Sequence, residues 1–394
     1  MKLSLLLALI LVLNILQNVA DGKKSKKTKK PPPYKIPPYP IRPKPVMYYT
    51  HQEISHHIIH NIDETLKYLS QTTCLNFKKQ NNSVKRIGIN FYLQNFSKVE
   101  LSTKKYKPTN VYLKDSIIND TRDLYFYMGL ALGLVPEITR NDSIHYLEVL
   151  EENLSKTNFE KYYKVKKYGN KILASTSFDY YSMMLSSPFF KSENEDLTYI
   201  FKSYLSKYFI ESVFTTEDFS YSDIKRLWYL HCSNKYRKKK KCKHGGFYLE
   251  HLKKCECPLP FTGKECEKLF KNEESCGKTQ EFLADSSQRN HTIKNIQSSC
   301  TYSIKSKKGK KVRFKIFNLN FTQRHLCNIG FKLEVKYRKD KSATGLGLCD
   351  NYNDISFPPL SSEIYLVFND EGSNRLEFSY NEVEENEIKQ YADI

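Results

Sequence analysis

After its first twenty residues the chain has no apolar run long enough to cross a bilayer, so it offers no candidate for a membrane-spanning helix there. The long apolar run that does exist, Leu3 to Leu13, follows Met1-Lys2 and precedes Val19-Ala20-Asp21. That order predicts a secretory signal over residues 1–20 and a secreted, extracellular protein. Asp and Glu are missing from Gly22 to Pro45, where Lys23 to Lys30 is almost continuously basic and Pro31 to Pro45 is rich in proline. Residues 21–45 therefore read as an extended linker. Cysteine is missing between Cys74 and Cys232, which separates a long block from a cysteine-dense C-terminal third.

What is present is strongly basic. The net charge of +20 over 394 residues would suit nucleic acid, but a secreted chain meets anionic glycans and cell surfaces instead. A second basic run covers Arg237 to Lys241, and residues 384–394 read as an acidic tail. The length predicts two to four domains. Sequons at Asn81, Asn95, Asn119, Asn141, Asn153, Asn290 and Asn320 are candidate glycosylation sites and predict surface loops there. The ten cysteines are an even number, which in an oxidising compartment predicts a full disulfide set.

Apolar residues at helical spacing from Gln52 to Leu69 predict a long amphipathic helix, with His56, His57 and His60 on its polar side. Arg86–Tyr92 and Asn110–Leu113 read as strands. A further helix is expected from a cap near Asp120-Thr121 to Gly133. Its last turns and sequel run Phe126-Tyr127-Met128-Gly129-Leu130-Ala131-Leu132-Gly133-Leu134-Val135-Pro136-Glu137-Ile138-Thr139-Arg140-Asn141-Asp142. This stretch resembles the active-site helix and turn of the astacin-family zinc metalloendopeptidases, H-E-x-x-H-x-x-G-x-x-H-E-x-x-R-x-D. The turn glycine matches Gly133, and the flank matches Glu137, Thr139, Arg140 and Asp142. The zinc positions fall on Phe126, Leu130 and Pro136, and the general base falls on Tyr127. None of the three zinc positions offers a nitrogen, thiolate or carboxylate, so no zinc cofactor is expected. Phe126 and Leu130, one turn apart, are expected to fill the vacated space together, each worth roughly 1.5–3 kcal/mol when fully buried.

The resemblance extends along the chain. Asp179-Tyr180-Tyr181-Ser182-Met183-Met184-Leu185-Ser186 is similar to the family's Met-turn, with Met184 as the floor methionine and Ser186 at the oxyanion tyrosine position. Thr73-Cys74 resembles the start of the family's long disulfide, which implies Cys74–Cys232. Cys242, Cys255, Cys257 and Cys266 with Gly263 resemble a reduced EGF-like module over residues 233–267, for which Cys242–Cys255 and Cys257–Cys266 are expected. From Cys276 to about Val383, alternating short strands predict a β-sandwich. This segment resembles a CUB domain with Cys276–Cys300 and Cys327–Cys349. Asp370 is the one survivor of that domain's acidic calcium trio, and one carboxylate is too few for calcium.

The resemblance thus implies an α+β chain: a metzincin-like protease-type domain over 46–232, an EGF-like module, and a CUB-like sandwich over 276–383. The leading function is that of a catalytically inactive homologue that binds extracellular peptides, inhibitors or surfaces. One alternative is an adhesion or matrix protein that uses the C-terminal modules and the basic runs. The other is an active zinc endopeptidase with atypical ligands such as His60 or His145.

Overall fold

A computed structural model describes residues 34, 36–119, 121–215, 218–233, 241–250, 252–322, 332–370 and 372–385. The expected signal, most of the basic linker, Asp120, Cys327, the core of the Arg237–Lys241 run and most of the acidic tail lie outside the described residues.

The N-terminal region is built on a five-stranded sheet. Its strands are β1 (Val46–Thr50), β2 (Phe77–Lys79), β3 (Gly88–Gln94), β4 (Lys98–Glu100) and β5 (Thr109–Lys114), in the order β2-β1-β3-β5-β4. Pairing is parallel except for β4, which runs antiparallel to β5 at the sheet edge. Alternation decides which side is covered: Val46, Tyr48, Ile89, Phe91, Val111 and Leu113 are buried. Helix α1 (His56–Thr72) begins later than the apolar spacing suggested, because the Ser55 side chain caps it by accepting from the Ile58 N–H. The three histidines sit on its solvent side, as the spacing implied.

Helix α2 (Thr121–Ala131) packs beneath β4 and β5. It ends in a turn where Leu134 N–H reaches the Gly129 carbonyl and Gly133 takes φ +91°, a conformation glycine adopts without strain. A short hairpin, β6 (Leu147–Val149) with β7 (Tyr199–Phe201), and helices α3 (Ser206–Thr215) and α4 (Tyr221–His231) complete this region. Cys74–Cys232 ties the end of α4 back to the segment after α1.

A small block follows, with hairpins β8 (Phe247–Leu249)–β9 (Lys254–Glu256) and β10 (Phe261–Thr262)–β11 (Lys268–Leu269). Its bridges are Cys242–Cys255 and Cys257–Cys266. The block does not stand on disulfides alone. Phe261 stacks on His244 at 3.9 Å and meets Tyr365 of the next unit at 4.8 Å, so its core is completed from outside.

The C-terminal unit has two sheets. One contains β12 (Glu281–Leu283), β14 (Thr301–Lys305), β16 (Leu333–Lys336), β17 (Leu346–Leu348) and β19 (Glu363–Phe368), ordered β12-β14-β19-β16-β17. The other contains β13 (Arg289–Ile296), β15 (Lys310–Asn320), β18 (Tyr352–Phe357) and β20 (Asn374–Glu384), ordered β13-β20-β15-β18. Cys276 is bonded to Cys300. Cys349 is also in a disulfide, while Cys327 lies outside the described residues.

This unit is docked, not tethered. Arg338 is buried, donates to the Phe178 carbonyl at 2.6 Å, and lies 5.2 Å from the Tyr146 ring. Asp340 accepts from Ser177 N–H at 2.7 Å, and Gly347 N–H donates to the Tyr181 hydroxyl at 2.7 Å. Ser222 and Lys225 of α4 reach Ser342.

Candidate functional site

Beneath the sheet, the former ligand positions differ from one another. Phe126 has no exposed surface, and its ring lies 4.9 Å from Phe190, 6.2 Å from Tyr162 and 5.8 Å from Tyr127. Tyr162 and Phe190 also meet, at 5.2 Å. The vacated space is therefore filled by aromatic rings brought from two later segments. Leu130 departs from the expectation. It is only partly buried, because its position on α2 faces the rim of this cluster and not its centre. Pro136 is buried at the start of the short turn Glu137–Thr139, where its carbonyl accepts from Thr139.

Tyr127, at the base position, is fully buried, and a phenol offers no carboxylate to take up a proton at neutral pH. Ser186 is buried, and its carbonyl accepts from the Tyr199 hydroxyl at 2.7 Å. Met184 lies under α2 with no exposed surface. A Cβ on Gly129 would stand 2.3 Å from its sulfur, so glycine is what lets the helix sit down on this floor.

Around that floor runs a buried charge network that the spacing of residues did not reveal. Glu137 binds the Arg226 guanidinium in bidentate fashion at 2.6 and 3.1 Å, and accepts from Asp179 N–H at 2.7 Å. Arg140 grips Asp142 through two bonds of 2.8 Å and donates to the Thr176 carbonyl. Burial would raise the Asp142 carboxyl, yet Arg140 brings it below the usual range. Asp223 accepts from Ser182 Oγ at 2.6 Å and Met183 N–H at 2.9 Å, locking the Met-turn. Its burial outweighs Arg226 and pushes its carboxyl up to about 6. Glu137, Arg140 and Asp142 were singled out by the motif, but Arg226, Asp179 and Asp223 were not. The one local signal was Ser220-x-x-Asp223, a capping box that α4 does use.

The family to which this geometry belongs is a zinc family, so its fit to the metal matters. Side chains of Phe126, Leu130 and Pro136 carry no donor atom, and Phe126 occupies the space with carbon. Among the described residues no group of three or more His, Cys, Asp or Glu side chains is placed to hold a metal. His60 lines a shallow hollow of about 310 Å³ with Glu64 and Asp218, away from α2's aromatic cluster, and His145 closes a short turn before β6. Neither is brought to the site.

The sheet, the helix beneath it and the methionine floor define the class as a metzincin-type α+β protease fold. The profile of the Astacin peptidase family matches residues 41–232, and over that segment the chain belongs to the astacin family. It is 27% identical over 259 residues to zinc metalloproteinase nas-34 of Caenorhabditis elegans, covering 64% of this chain and 40% of that protein. It is 23% identical over 305 residues to zinc metalloproteinase dpy-31 of Brugia malayi, covering 73% of this chain and 49% of the relative. The chain thus spans less than half the length of these two relatives. Among solved structures, the hatching-enzyme zinc protease HCE-1 of medaka (Oryzias latipes) is 19% identical, covers 47% of this chain and 88% of its own, with a TM-score of 0.38.

Proposed function

We propose that this protein is a non-catalytic astacin homologue that acts outside the cell by binding. The observation that carries the reading is Phe126: a ligand position is occupied by a ring packed on Tyr162 and Phe190, where an imidazole and a metal would have to go. The base and oxyanion positions point the same way, since a buried phenol and a short serine do not supply what peptide hydrolysis requires. Disulfides in all three segments favour an oxidising compartment, and no helix among the described residues is long and apolar enough to cross a membrane. The EGF-like and CUB-like readings of the C-terminal units, glycosylation at the seven sequons, and a Cys327–Cys349 bridge belong to the same proposal. The test is an assay of the purified full chain against a broad peptide library with added zinc. The expected result is no turnover; turnover abolished by a chelator contradicts the proposal.

A further inference from the structure

The outer face of the N-terminal sheet carries a row of aromatic side chains that the core does not use. Tyr49 on β1 lies 6.1 Å from Tyr92 on β3, and Tyr92 lies 5.9 Å from Tyr112 on β5, within 24° of parallel. Phe96, 47% exposed, follows at 5.8 Å from Tyr112. The three tyrosines are only half-buried, and His51 joins the row 6.1 Å from Tyr92. Strand register explains the alignment. Tyr92 faces Tyr112, Tyr112 faces Lys98, and Lys114 is two residues further along β5, so all four project from the same side.

The row runs into positive charge. Lys98 and Lys114 flank its end, and Lys161 and Lys191 stand just beyond, 4.7 Å from the Tyr162 ring and 5.5 Å from the Phe190 ring. Burial, and then Lys98 and Lys191, hold the Lys161 ammonium below the ordinary lysine range. The carboxylates nearby are Glu100, paired with Lys98 at 2.9 Å and within 3.5 Å of the Tyr112 hydroxyl, Glu160, paired with Lys164, and Asp123. They leave the lysine edge net positive.

We propose that this face and its lysine edge form a binding track for an anionic polysaccharide, one bearing sulfates or uronic acids. Flat rings in a row present apolar faces to the C–H faces of successive sugars. Phenol hydroxyls take sugar hydroxyls, and the lysines take the acidic groups. The row crosses the strands at a steep angle. An acidic peptide would instead be expected to pair along the free edge of β4 and leave most of the rings unused. The inference names a surface and a ligand class for the binding reading above, yet the two fail separately: zinc-dependent turnover would end that reading without touching this one.

The experiment measures binding of the full chain to heparin at several salt concentrations. Lys98, Lys114, Lys161 and Lys191 changed together to Gln should weaken binding about tenfold or more and flatten its salt dependence. Tyr92→Ser with Tyr112→Ser should weaken it by a similar factor at every salt, because stacking carries no charge. Conservative Tyr92→Phe with Tyr112→Phe should retain most of the affinity and guards against a folding artefact. Several results overturn the proposal: full affinity in both the lysine and the serine variants with loss only when Arg237–Lys241 is neutralised; equal competition by polyglutamate; or binding seen only after Asn95→Gln, which would mean that the chain's own glycan covers the face.

Discussion

Phe126 shows how far one side chain can commit a site. A zinc ligand is held by a donor atom and stabilises by cross-linking, whereas a phenyl ring stabilises by excluding water and filling volume. With Tyr162 and Phe190 around it, returning histidines to 126, 130 and 136 together with glutamate at 127 should not restore an enzyme. Without metal, the loss of apolar burial at 126 and the unpaired polar atoms at 126 and 127 should cost several kcal/mol, read by thermal unfolding. Leu130, being partly exposed, should contribute little to that cost. Zinc should recover part of it, because binding at a structured site is folding energy. A quadruple variant as stable as the parent without zinc would show that this face is not packed as described. The motif made Phe126, Gly133, Glu137 and Arg140 legible in the sequence, since they lie within one short segment. The rings that fill the site were not legible: Tyr162 and Phe190 arrive from loops whose approach depends on long-range packing.

At the scale of elements, α4 does three jobs. Its first turn supplies Asp223 to the Met-turn, its middle supplies Arg226 to Glu137, and its last turn places His231 against the Leu132 carbonyl at 2.8 Å. Burial holds the His231 imidazole down at about 4, against the lesser upward pull of that carbonyl. Above pH 6.5 neither folded nor unfolded chain protonates it, so its contribution is complete. As pH falls towards 4, the unfolded chain takes up a proton that the folded chain refuses. Stability should therefore fall in that window by at most about 3 kcal/mol from this group. Asp223, raised to about 6, works in the opposite direction between pH 6 and 4, so the comparison must be with His231→Gln in the same background. The variant should lose less stability on acidification; identical curves would contradict the assignment. Helix and strand positions were largely readable from periodicity, with ends displaced by a few residues where a cap decided them, as at Ser55. That α4 reaches both the turn and the active-site flank was not readable. Its partner Glu137 lies 89 residues away, and local spacing carries no record of that approach.

On the scale of the whole molecule, Ile36–Ile394 packs as one compact unit. The cysteine spacing announced separate blocks but gave no sign that they are locked together, because the lock is made of single residues. Arg338, Asp340 and Gly347 bind the segment leading into the Met-turn, and Tyr365 completes the core of the small block. Arg338→Ala should destabilise by roughly 2–4 kcal/mol, through a lost charge-assisted hydrogen bond and ring contacts. It should also split a single unfolding transition in calorimetry into two. An unchanged single transition would mean that the docking is incidental. The central claim is that packing has replaced the metal throughout this architecture. Its most direct test is elemental analysis of the purified full chain after dialysis against trace zinc. The account predicts no stoichiometric zinc; one zinc per chain would contradict it.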